Sequence, residues 1–145
     1  MWTQSRQSSR ASRRTHTLAG PTPGRMASAF VVSWVAMLAH NLFELPLTPV
    51  DIENSGPLLV DLALLLAFWR RPASRGVHMA ILGWAGLNLV IGGVVTVLPL
   101  PVLPFVPEQS LSHYLAHVVY AVGQAPLLLL AVAALRQPAR ETQSG

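Results

Sequence analysis

Four apolar runs, separated by short polar or proline-rich connections, occupy most of this chain. About 20 apolar residues cross the hydrocarbon core of a bilayer as a helix. On that measure the spans fall at about 26–45 (MASAFVVSWVAMLAHNLFEL), 57–69 (PLLVDLALLLAFW), 77–98 and 111–135. The second is short, so its flanking arginines must snorkel, the helix must begin earlier in the preceding loop, or the bilayer must thin locally. The pattern predicts an all-α membrane protein, a four-transmembrane-helix bundle forming one domain over 26–136. Flanking it are a basic, disordered tail over 1–25 and a short tail over 137–145.

Polar positions inside the spans are regularly spaced. On the fourth, His113, His117, Tyr120 and Gln124 follow steps of 4, 3 and 4 residues, which places them within an arc of about 60°. Leu115, Val118, Val119 and Val122 occupy the other faces, so the stripe is expected to face the bundle interior and the valines lipid. Ser33, His40 and Glu44 share a face of the first span, beside Ala29 and Ala36. Asp61 lies alone within LLVDLALLL; an unpaired charge there costs several kcal/mol, so it must be protonated or paired within the bundle. On the third span Trp84, Asn88, Gly92 and Thr96 form one broad face, with Asn88 expected to bond across a helix interface. His78, at the start of this span, and His16, in the tail, read as solvated.

Depth connects these faces. At 1.5 Å per residue from the assumed helix ends, His40, Asp61 and His117 each lie roughly 6–9 Å below the outer surface, with His113 and Glu44 above them. Imidazoles with a carboxylate suit a divalent transition metal, so the candidate metal ligands are His40, Asp61, His113 and His117, with Glu44 as an additional donor. His40 and His117 alone would suit the axial positions of haem b. Asp61 with a histidine would suit a proton relay. Set against these is structural polar packing in which the side chains satisfy one another, Asn88, Tyr120 and Gln124 among them.

Composition agrees with the membrane assignment: 52% of the 145 residues are hydrophobic and 11% charged, against roughly 25% charged in soluble domains. All ten basic residues are arginine, and all flank the same ends of the spans: Arg6, Arg10, Arg13, Arg14 and Arg25, then Arg70, Arg71 and Arg75, then Arg136 and Arg140. Glu44, Asp51, Glu53 and Glu108 lie at the opposite ends. Basic short loops stay cytoplasmic, so both termini are expected inside a multi-pass protein of the cytoplasmic membrane. Arginine without lysine suggests a bacterium with a GC-rich genome. The arginines sit on tails and one short loop, which argues against nucleic-acid binding despite a pI near 11.1. SRRTHTLAG has the look of a twin-arginine signal, but the apolar run after it is too long for a signal peptide and favours a retained anchor. Met26 is an alternative start, decidable by N-terminal sequencing.

The segment PLPVLPFVPEQS, with prolines at 99, 101, 104 and 107, is apolar yet unable to form regular helix. It is expected to fold over the bundle mouth near His113 and His117, with Ser110 or Ser112 capping the fourth helix. Cysteine is absent, which removes thiolate chemistry. No phosphate-binding loop, HExxH or GxSxG occurs, which argues against an enzyme. The expected partners are the bilayer and other membrane proteins or further copies of the chain. The leading functional expectation is a small accessory, assembly or scaffolding component. A metal- or haem-binding redox protein and a proton-coupled transporter subunit relying on Asp61 stand as alternatives.

Overall fold

A computed structural model describes residues 21–137. The expectations for His16 and for most of both tails lie outside the described residues. Four helices are each long and apolar enough to cross a membrane. They are α1 (Pro23–Glu44), α2 (Ile52–Arg70), α3 (Arg75–Leu87) and α4 (Leu111–Leu135). Helix α3 continues through a π-helical segment, Asn88–Val94, and a short 3-10 turn, Val95–Val97.

The helix starts have local causes. Thr22 accepts from the Arg25 N–H at 3.3 Å and Pro23 occupies the first turn, so α1 begins before Met26 and takes in three residues assigned to the tail. Ser74 and Ser110 cap α3 and α4 by accepting from Val77 N–H at 3.4 Å and His113 N–H at 3.2 Å. Helix α2 begins at Ile52 and runs through Pro57. Proline forfeits one backbone bond there, near the exposed Glu53, while its fixed φ still suits a helix. The helix therefore has 19 residues, about 28 Å, and the short second span is resolved by the earlier start.

Arg25, Arg70, Arg75 and Arg136 mark one end of the bundle, and Glu44, Asp51, Glu53 and Glu108 the other. The interior changes character between them. Met26, Phe30, Phe68, Ile81 and Leu127 form an apolar core toward the arginine end. His78 is part of this region and not solvated. It is buried, with Nδ1 2.9 Å from the Ser74 carbonyl and its ring edge-on to Phe68, centroids 5.7 Å apart.

Helices α1 and α4 are antiparallel and in close contact. A Cβ on Gly123 would stand 2.2 Å from the Ala36 Cβ, so the two backbones approach to a distance that only glycine permits. Beside this crossing Ser33 Oγ donates to Gln124 Oε1 at 2.7 Å, and Gln124 Nε2 donates back to the Ser33 carbonyl at 3.4 Å. Both residues are buried. The polar stripe on α4 thus faces inward at His117, Tyr120 and Gln124, while Leu115, Val118, Val119 and Val122 are exposed on the lipid-facing side.

Replacing Gly123 by valine forces α1 and α4 apart. Overpacking of this kind costs about 1–3 kcal/mol, so the variant is expected to melt at a lower temperature in detergent micelles. An unchanged melting temperature would show that the helices do not cross at Ala36.

Candidate functional site

Toward the acidic end the interior is polar, and three helices build it. Steps of 7 and 4 residues along α1, from Ser33 to His40 to Glu44, are matched by the same steps back along α4, from Gln124 to His117 to His113. The Gly123 crossing therefore fixes which side chains meet. His40 Nε2 lies 3.1 Å from His117 Nε2, and His113 Nδ1 lies 2.6 Å from Glu44 Oε2. The three imidazoles cluster, with centroids 4.3 Å apart for His40 and His117, 4.6 Å for His113 and His117, and 6.5 Å for His40 and His113. His113 Nε2 is buried without a hydrogen-bond partner.

The third wall is the π segment after α3. A π turn widens the helix and redirects carbonyls away from the regular ladder. The Gly92 carbonyl accepts from Thr96 Oγ1 at 2.8 Å and pairs with His117 Nδ1 at 3.0 Å. Gly92 has no room for a side chain, because a Cβ would stand 2.4 Å from Tyr120 Cε1. Tyr120 in turn donates to Asn88 Oδ1 at 2.9 Å, the cross-helix bond expected of Asn88, whose amide donates to the Trp84 carbonyl at 2.9 Å.

The connection between α1 and α2 braces the site through Asn54 and Asn41. Asp51 accepts from the Thr48 hydroxyl at 3.0 Å and from the Thr48 backbone N–H, which shapes the turn. Asn54, fully buried, donates to the Thr48 carbonyl at 2.7 Å, accepts from Asn41 Nδ2 at 2.8 Å, and its own carbonyl accepts from Trp34 Nε1 at 3.2 Å. Asn41 Oδ1 faces His40 Nδ1 at 3.0 Å. Asn41 and His40 border a cavity of about 590 Å³ that is also lined by His113, His117, Glu44, Glu53 and Glu108 among others. Phe105, Val106 and Pro107 of the proline-rich connection form part of its wall.

Asp61 is not brought to the histidines. Trp84 Nε1 donates to its Oδ1 at 2.7 Å, and Asp61 is not among the residues that line the histidine cavity. The depth expected for Asp61 is counted from Pro57, whereas α2 starts five residues earlier, at Ile52. Among the described residues, no group of three or more His, Cys, Asp or Glu side chains is disposed as it stands to hold a metal ion. Axial haem ligation does not fit the histidine pair either. Nitrogens trans across one metal stand about 4 Å apart, twice a bond of ~2.0–2.1 Å, and His40 and His117 are closer than that.

Sequence reasoning missed Trp84 as the partner of Asp61, and Asn41, Asn54 and Thr48 as partners around His40. Asn41 was the available signal, a second polar side chain beside His40 in an apolar run.

No known protein family, curated protein or solved structure matches this chain. Its fold defines a class nonetheless: a multi-pass membrane protein with four candidate spans and a polar chamber at the acidic end of the bundle.

Trp84→Phe and Asp61→Leu each strand a buried polar partner. Each is expected to lower stability by about 1–3 kcal/mol, with the double variant losing less than the sum. Asp61→Asn keeps an acceptor for the indole and should stay close to the parent. Unfolding titrations in micelles provide the comparison, and strictly additive losses would break the assigned pairing.

Proposed function

We propose that this chain is a small accessory protein of a bacterial cytoplasmic membrane, with both termini inside, that binds a cation in the chamber at its external end. The orientation rests on the arginines, which flank one end of the bundle, against the acidic residues at the other. One observation carries the cation assignment: the imidazole nitrogens of His40 and His117 face each other at 3.1 Å across α1 and α4. A cation between or upon them converts that contact from a marginal one into a strong one.

The surroundings favour positive charge. Glu44, Glu53 and Glu108 line the same cavity, and no arginine does. The volume of about 590 Å³ falls in the range of small-ligand pockets, so a hydrated ion has room to enter. A relay or carrier centred on Asp61 is less well supported, because Asp61 is bound to Trp84 away from the cavity lining. The accessory role follows from size: four spans and this chamber give a place to hold an ion, supplied to or received from a partner in the same membrane.

Two measurements test this reading. The chain has no cysteine, so Val50→Cys and Arg71→Cys each introduce one thiol. A membrane-impermeant maleimide applied to intact cells is expected to label the first and to reach the second only after permeabilisation; the reverse overturns the orientation. Nitrogen-15 spectra of histidine-labelled protein in bilayers at neutral pH are expected to show the His40 and His117 pair as imidazolium-bearing or metal-bound. Two neutral rings joined by an ordinary N–H···N bond would end the cation assignment.

A further inference from the structure

The hydrogen bonds around the chamber fix where the imidazole protons are, and this decides what lies between the rings. Backbone carbonyls only accept. The Thr48 carbonyl therefore orients the Asn54 amide with Nδ2 toward it and Oδ1 toward Asn41. Asn41 must present Nδ2 to that oxygen, which leaves its own Oδ1 facing His40 Nδ1. An amide oxygen only accepts, so His40 carries its proton on Nδ1. On the other side the Gly92 carbonyl faces His117 Nδ1, so His117 also carries its proton on Nδ1.

A neutral imidazole has one N–H. With both Nδ1 atoms protonated, the two Nε2 atoms present lone pairs to each other at 3.1 Å, an arrangement that is repulsive unless a positive species joins them. A proton on one ring or a metal ion on both would do so. Two nitrogens bound to one metal at ~2.0–2.1 Å stand about 2.9 Å apart at a right angle and about 3.4 Å apart at the tetrahedral angle. The observed separation lies between these limits.

The outer partners suit a metal as well. A ligating histidine nearly always donates its other N–H to a carbonyl or carboxylate, which orients the ring and raises its basicity. All three imidazoles have such a partner on Nδ1: Asn41 Oδ1 for His40, the Gly92 carbonyl for His117 and Glu44 Oε2 for His113. A shared proton needs only two rings and gives His113 no role. Yet His113 repeats the pattern, with Nε2 buried and without a partner.

Building on the cation reading above, we infer that the chamber is a transition-metal site in which Nε2 of His40 and His117 are adjacent ligands of one divalent ion and Nε2 of His113 is the third. Two donors are already placed. The third closes by a turn of the His113 ring in the first turn of α4. The remaining coordination position faces the cavity, open to water or to an incoming ligand.

The test is titration of full-length protein in detergent with Zn²⁺ and, for its visible spectrum, Co²⁺. One equivalent of tightly bound metal and a tetrahedral Co²⁺ spectrum are expected. His40→Gln and His117→Gln should abolish stoichiometric binding at micromolar metal, and His113→Gln should weaken it while leaving the helical circular dichroism intact. Asn41→Leu touches no metal and should weaken binding by about 10–100-fold while leaving the helical circular dichroism intact. Substoichiometric metal, or binding unaffected by His40→Gln, overturns the inference. If nitrogen-15 spectra of the metal-free protein then show an imidazolium in the pair, the metal assignment falls and the cation reading survives. If they show Nε2–H hydrogen-bonded between neutral rings, both fall.

Discussion

The close antiparallel crossing of α1 and α4 is the contact on which the rest of the structure depends. Gly123 lets the Ala36 methyl occupy the space of its own missing side chain, and that approach sets the register of the two longest helices. Once Ser33 is opposite Gln124, the shared spacing brings His40 to His117 and Glu44 to His113. In lipid this register has little competition. A slip would leave buried amides, hydroxyls and imidazoles facing hydrocarbon, and each unsatisfied group there costs several kcal/mol.

The π segment after α3 does the complementary work from the other side. A regular α-helix through Asn88–Val94 would keep its carbonyls in the ladder and its Cβ atoms evenly distributed. The widened turn instead offers the Gly92 carbonyl to His117, and the bare glycine lets Tyr120 lie against the backbone. The bundle is consequently divided along its length. Its arginine half is held by ordinary apolar packing, and its acidic half by a connected polar network whose members orient one another. Such a network favours one arrangement strongly when all its members are satisfied. That makes the facing nitrogens of His40 and His117, and the idle nitrogen of His113, informative exceptions.

Periodicity and hydropathy made much of this legible in advance. The four spans, the inward stripe of His117, Tyr120 and Gln124 and the lipid-facing valines of α4 are all local properties. A helix is defined by its own backbone bonds, and in a bilayer each span must satisfy them without help from neighbours. The capping role of Ser110 and the approach of the proline-rich connection to the histidine chamber were equally readable. The second span was misjudged because Pro57 looked like a beginning, and the error propagated into the depth of Asp61.

Sequence by itself therefore determined how many helices there are, which faces are polar and where arginine and acid collect, since all of these follow from side-chain chemistry repeated at helical spacing. Only the tertiary structure decided which polar faces meet. His78 is buried by Phe68, Asp61 belongs to Trp84, and His40 is oriented through Asn41 and Asn54 by a carbonyl in the turn between α1 and α2. These pairings depend on axial register and backbone separation, set by contacts such as Gly123 with Ala36 that have no periodic signature in one chain. The histidine pair was visible as a spacing, but the placement of its protons required knowing which carbonyl each ring faces.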